Sequence, residues 1–177
     1  MKKTIIIISL FIICFITSSK ISQKNIIIPS ESIRFRVIAN SNNKEDQQLK
    51  YQVKDNLNAQ ITSILKDSTS LDASRKSIVN NLKNIENNIS NTILENNSSQ
   101  DFKVSYGVNH FPEKIYKGVT YTEGDYESLV VTLGEGQGEN WWCVLFPPLC
   151  LLEAEENDTE QTEYKLFVEK IIDQFRK

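Results

Sequence analysis

Hydrophobic positions recur with two different periods along this chain, and the change of period divides it in two. Ile33, Phe35 and Val37 alternate with Arg34 and Arg36, which predicts a strand over 33–38 with one apolar and one polar face. The Asn40-Ser41-Asn42-Asn43 cluster ends that strand, and Asn42 with Glu45 three residues on reads as a capping-box-like helix start. Leu49, Val53, Leu57, Ile61, Ile64 and Leu65 follow at helical spacing, so a helix runs to about Leu65. After the break at Asp67-Ser68-Thr69-Ser70, Ile78, Leu82, Ile85, Ile89 and Ile93 share one face of a second helix over 72–94. Two amphipathic helices joined by a short polar loop predict an antiparallel helical pair.

Beyond the Asn96-Asn97-Ser98-Ser99 loop the period falls to two. Phe102 to Val108 alternates like a strand, Thr120 and Tyr121 open another, and strands follow over 126–133 and 141–146. The glycine-rich turn between the last two suits a hairpin. Tyr164, Phe167, Val168, Ile171, Ile172 and Phe175 then mark a closing amphipathic helix. The fold class is α+β: an N-terminal strand, an antiparallel helical pair, an antiparallel β-sheet and a C-terminal helix.

The first residues change the picture of where this domain works. Met1-Lys2-Lys3, an apolar run from Ile5 to Ile16 and the small polar residues Thr17-Ser18-Ser19 have the layout of a secretory signal. We assign 1–19 to a signal peptide, with an uncleaved anchor as the open alternative because no Ala-x-Ala site is present. Residues 20–32 read as a tether and 33–177 as a single domain. The run is short of the roughly 20 apolar residues of a membrane span, so the protein is membrane-proximal and no integral bundle. Removing Lys2 and Lys3 from the 20 basic residues leaves 18 against 23 acidic ones, a balance of −5. That balance argues against nucleic acid, whose phosphates need a basic face.

Costly residues crowd into Gly134 to Cys150, which holds both tryptophans and three of the six glycines. This segment resembles the hallmark of the stage II sporulation protein R family. Upstream, Ile33-Arg34-Phe35-Arg36-Val37-Ile38-Ala39-Asn40-Ser41, Glu45-Asp46-Gln47, Leu49-Lys50 and Val53-Lys54-Asp55 agree with it, as do Phe111-Pro112, Tyr116, Gly118, Gly124 and Tyr126. Several unusual clusters recur in order, so the motifs are specific in combination. Thr122-Glu123-Gly124 stands where Pro-Ala-Gly is expected of the family. The resemblance implies a signal made in the developing spore, exported across the forespore membrane into the intermembrane space and secreted or N-terminally anchored there. It implies a partner too: a membrane-embedded aspartic protease of the mother cell, which matures a sigma factor.

The chemistry of individual residues points the same way. Gly134-x-Gly136-x-Gly138 lacks the Lys-Ser/Thr of a phosphate loop and is a tight turn. A cysteine hydrolase is the rival function: Cys143 as nucleophile, His110 as base and Asn140 to orient it. Against it, Cys143 sits in an apolar segment, where burial makes a thiol inert. One histidine and two cysteines beyond the signal make a poor zinc set, and no cofactor is implied. Cys143 and Cys150 could pair if 145–148 turns back; an extended Pro147-Pro148 would hold them about 20 Å apart. Two free, buried thiols are the favoured reading.

Trp141 and Trp142 point to opposite sides of a regular strand, so one is expected in the core and the other outside. With Phe146 they form a candidate partner-binding ridge, since exposed tryptophans anchor interfaces. Arg34, on the outer face of the first strand, completes the candidate interface, its alternative being a solvated face or ion pairs with Asp46 or Asp55.

Overall fold

The computed structural model describes residues 26–150 and 161–175. The expected signal peptide, residues 20–25 of the tether and most of the acidic connection from Glu153 to Thr162 lie outside the described residues. The element order is β1 (Ile26–Ile27), β2 (Ile33–Ile38), α1 (Lys44–Leu65), α2 (Leu71–Asn80), α3 (Leu82–Glu95), β3 (Phe102–Phe111), β4 (Lys114–Tyr116), β5 (Val119–Tyr121), β6 (Gly124–Leu133), β7 (Asn140–Phe146) and α4 (Gln161–Phe175). The class is α+β, as the periodicities predict.

A four-stranded sheet, in the order β3-β6-β2-β7, forms a wall between two hydrophobic cores. On one side, Phe35, Val37, Leu129, Val131 and Cys143 pack against Val53, Leu57, Ile61, Ile78, Ile85 and Ile89 of the helices. On the other, Phe111, Tyr126, Trp142 and Val144 pack against a small sheet, β1-β5-β4, and against Tyr164, Val168 and Ile172 of α4. Strand alternation explains the division: successive residues of one strand serve opposite cores.

Three expectations need correction. The sheets are mixed, because β2 runs parallel to β6 and β1 parallel to β5. The predicted hairpin of β6 and β7 does not exist: β2 lies between them, parallel to one and antiparallel to the other. The glycines serve a different turn, which wraps over the end of β2. Gln137 N–H and Gly138 N–H donate to the carbonyls of Asn40 (3.0 Å) and Ala39 (2.9 Å). Gly134 and Gly136 have φ of 53° and 65°, the left-handed region that glycine enters at little cost. Finally, the second helix is two, α2 and α3, parted at Asn81, whose side chain donates to Ser77 O at 2.9 Å. The apolar stripe continues across the break, with Ile78 and Ile85 both buried, so the period alone conceals it.

The N-terminal boundary also moves. Ile26 and Ile28 are buried and β1 pairs with β5, so the end of the expected tether belongs to the second core. At the start of α1 the cap is Asn43, one residue later than expected: its side chain accepts from Asp46 N–H at 2.7 Å. Asn42 reaches across to accept from Glu139 N–H at 2.6 Å instead.

Candidate functional site

Arg34 lies in the second core, fully buried, although its strand position had suggested a solvated outer face. That face is covered by the small sheet and α4. The guanidinium carbon sits 3.4 Å from the Tyr126 ring centre, 5.0 Å from Phe111 and 5.2 Å from Trp142. Nη2 donates to the Thr122 carbonyl at 3.1 Å, while Nε and Nη1 have no hydrogen-bond partner among the described residues. Neither Asp46 nor Asp55 pairs with it. Burial pushes Arg34 down to about 10, opposed by Tyr126 and Tyr121, so it stays charged near neutrality. An aromatic box thus stands in for a counter-ion. The departure at Thr122 leaves it intact, since the acceptor is a backbone oxygen; the Thr122 hydroxyl meets Tyr126 Oη at 2.7 Å. Arg36 stacks on the same Phe111 at 3.9 Å and donates to His110 O at 2.9 Å.

The expected aromatic ridge is not a surface. Trp142 is buried and meets Phe111 and Tyr121 edge-on, with centroids 5.6 and 5.2 Å apart. Phe146 is buried against Phe175 at 5.0 Å. Trp141, on the opposite side of β7, is half-buried between Phe35 (5.8 Å) and the Lys54 ammonium (5.2 Å). Both tryptophans therefore pack inward, one into each core, because both faces of this sheet are covered. Among the four candidate interface residues only Trp141 keeps appreciable exposure.

Cys143 and Cys150 are joined in a disulfide, with Cα atoms 5.3 Å apart, which overturns the two free thiols. The chain turns back at Pro147-Pro148 instead of running extended: Leu149 N–H donates to Val144 O at 3.1 Å. The rival hydrolase loses its nucleophile by this bond. Its proposed base is remote as well, because three strand spacings, at least about 14 Å, separate His110 on β3 from Cys143 on β7. His110 faces Asp125 at 3.2 Å and Glu123 at 3.6 Å on the surface. Asn140 is exposed at the start of β7.

A polar knot at the start of α1 was not assembled from the sequence. The Asp46 carboxylate accepts from the Ser41 hydroxyl (2.6 Å) and from the side-chain amides of Asn40 (2.9 Å), Asn43 (3.1 Å) and Gln100 (3.1 Å). The Ser41 bond foremost, with the amides and against desolvation, holds its carboxyl below the usual range. Lys50, buried, donates to Gln47 Oε1 at 2.6 Å and Glu139 O at 3.3 Å. The available signal was an acid three residues after an Asn cap. A second polar link joins the helices to the sheet: Arg75 on α2 grips Glu127 (2.6 and 2.8 Å), which also accepts from the Tyr106 hydroxyl at 2.8 Å.

Among the described residues no cluster of His, Cys, Asp and Glu could hold a metal ion, and no helix is long and apolar enough to cross a membrane. An apolar groove of about 280 Å³ runs between Ile61, Leu65, Leu145 and Phe175, beside the disulfide. What the fold and these residues define is an α+β domain whose distinctive side chains are spent on internal joints: a caged cation, a disulfide and a carboxylate knot.

The comparison with known proteins gives that class its family. The model of the stage II sporulation protein R family matches residues 29–156, and the chain belongs to this family. Stage II sporulation protein R of Bacillus subtilis (strain 168) is 37% identical over 162 residues, covering 89% of this chain and 72% of the relative. No solved structure matches.

Proposed function

We infer from its family that this chain acts in sporulation. We propose, further, that it is an exported intercellular signal that activates a membrane-bound aspartic protease in the mother cell, leading to processing of a sigma-factor precursor. The observation that carries this reading is the match over residues 29–156, which takes in every motif of the resemblance. The Cys143–Cys150 disulfide supports export, because such bonds persist in oxidising compartments. On this reading the chain supplies binding energy alone: it prefers the protease's active state and shifts the equilibrium toward it.

Co-expression in a non-sporulating host with the protease and the sigma-factor precursor tests the proposal. Cleavage of the precursor should depend on this chain. An unchanged precursor, with both proteins folded and inserted, would sink it. Cys143→Ala and Cys143→Ser should reduce cleavage only in step with lost folding, whereas a hydrolase would lose everything.

A further inference from the structure

The groove beside the disulfide is walled by Ile61 and Leu65 of α1, Leu145 of β7, and Ile171 and Phe175 of α4. Its volume of about 280 Å³ lies just under the roughly 300–1,000 Å³ of sites for drug-sized ligands. One lining residue breaks the apolar pattern. Asn58 stands one turn before Ile61 on α1 and is 5% exposed. Its Nδ2 donates to the Cys150 carbonyl at 3.3 Å, and that bond fixes which end of the amide is the oxygen. The oxygen, Oδ1, has no hydrogen-bond partner among the described residues.

A buried acceptor left unpaired costs stability, and such a group calls for an explanation. A leucine in its place would carry no such cost. The lining also says what kind of donor suits it. No carboxylate lines the groove among the described residues, and its one charged residue is the exposed Lys66, so a cation finds no counter-charge. Thr62, Ser68 and Gln174 line it too, but none of them is buried, which leaves Asn58 as the buried polar group of the site. A peptide main chain would bring a donor and an acceptor at every residue into walls that are otherwise apolar. What remains is a compact apolar body with a single N–H or O–H.

We propose that this groove binds a small neutral molecule of the indole or phenol type, whose one donor pairs with Asn58 Oδ1 while its ring lies among Ile61, Leu145 and Phe175. Bound there, the molecule joins α1 to α4 across the end of β7, next to the Cys143–Cys150 bond. The inference goes beyond the proposed function and does not depend on it.

The test uses the full chain with its disulfide intact. Indole and indene share one shape, and only indole carries an N–H. Each is titrated into the folded protein and followed by the methyl resonances of Ile61, Leu145 and Ile171. Both should bind saturably, indole about tenfold or more tighter, because a site with a buried polar group rejects the analogue that leaves it unpaired. Indole should also raise the thermal midpoint, since a ligand of the folded state stabilises it. Asn58→Leu should remove the preference, so that indene binds at least as well as indole, a reversal that lost folding would not produce. Thr62→Trp fills the groove without touching Asn58 and should abolish binding of both at an unchanged unfolding midpoint. Equal binding of indole and indene by the wild type would mean that water serves Asn58, and would overturn the proposal. So would the absence of saturable shifts, the result expected if the residues that follow Cys150 already occupy the groove.

Discussion

The Arg34 guanidinium carbon lies over Tyr126, 3.4 Å from the ring centre, and no carboxylate among the described residues pairs with it. A buried charge without a counter-ion is costly, and the aromatic faces return part of that cost. Arg34→Met should therefore change stability by less than about 1 kcal/mol, while Tyr126→Leu, which strips the box and leaves the charge, should lose about 3 kcal/mol. Urea titrations of both variants decide it; the reverse order would show the cation to be a net stabiliser.

Joining Cys143 to Cys150 closes a loop of eight residues, worth about 2.5 kcal/mol in the chain-entropy model. The double Cys→Ala variant should lose roughly 2–3 kcal/mol, and reductant should bring the wild type to the same midpoint. Thiol titration of the unfolded, non-reduced chain should find neither cysteine reactive. Two reactive thiols at those positions would refute the bond.

Acid should loosen the fold through Asp46 and Glu127. The Ser41 hydroxyl foremost holds Asp46 below the usual carboxylate range, and the Arg75 guanidinium foremost does so for Glu127. A folded-state value below the unfolded one means that the unfolded chain binds more protons as pH falls. The stability these groups contribute is present above about pH 4 and lost as pH drops through their folded values. The urea midpoint should decline from pH 5 to 3, and Asp46→Asn should flatten part of that slope. An unaltered slope would remove Asp46 from the account.

Two glycines should respond oppositely to the same change. A Cβ at Gly138 would come within 2.3 Å of the Ser41 carbonyl oxygen, whereas one at Gly107 meets nothing. Gly138→Ala should cost about 2 kcal/mol or more, because backbone must move, and Gly107→Ala should be neutral or mildly stabilising. Thermal unfolding of the pair checks the contrast.

The elements were legible wherever burial follows a local period. Leu49, Val53, Leu57, Ile61 and Leu65 on α1 and Ile78, Ile85, Ile89 and Ile93 on α2 and α3 are all buried as their spacing predicts. The failures share a cause, since they depend on partners distant in sequence. Arg34 and Arg36 alternate as a solvent face would, and only the second layer of β4, β5 and α4 makes that face interior. The glycines before β7 look like a hairpin turn because nothing local records that β2 occupies the intervening place. Trp142 and Phe146 carry the composition of an interface, yet the composition of a doubly covered strand is the same. The cysteine pairing turned on the path at Pro147-Pro148, which spacing left open.

The placement of β2 also governs the order of assembly. It emerges early in synthesis, but Ile33 finds its two neighbours, Glu127 and Phe146, only roughly a hundred residues further along. Until β7 is available the sheet lacks its last member and Arg34 lacks the Trp142 wall of its box. No nascent fragment ending before that strand can close either core, so this polypeptide commits to its architecture late and as a whole.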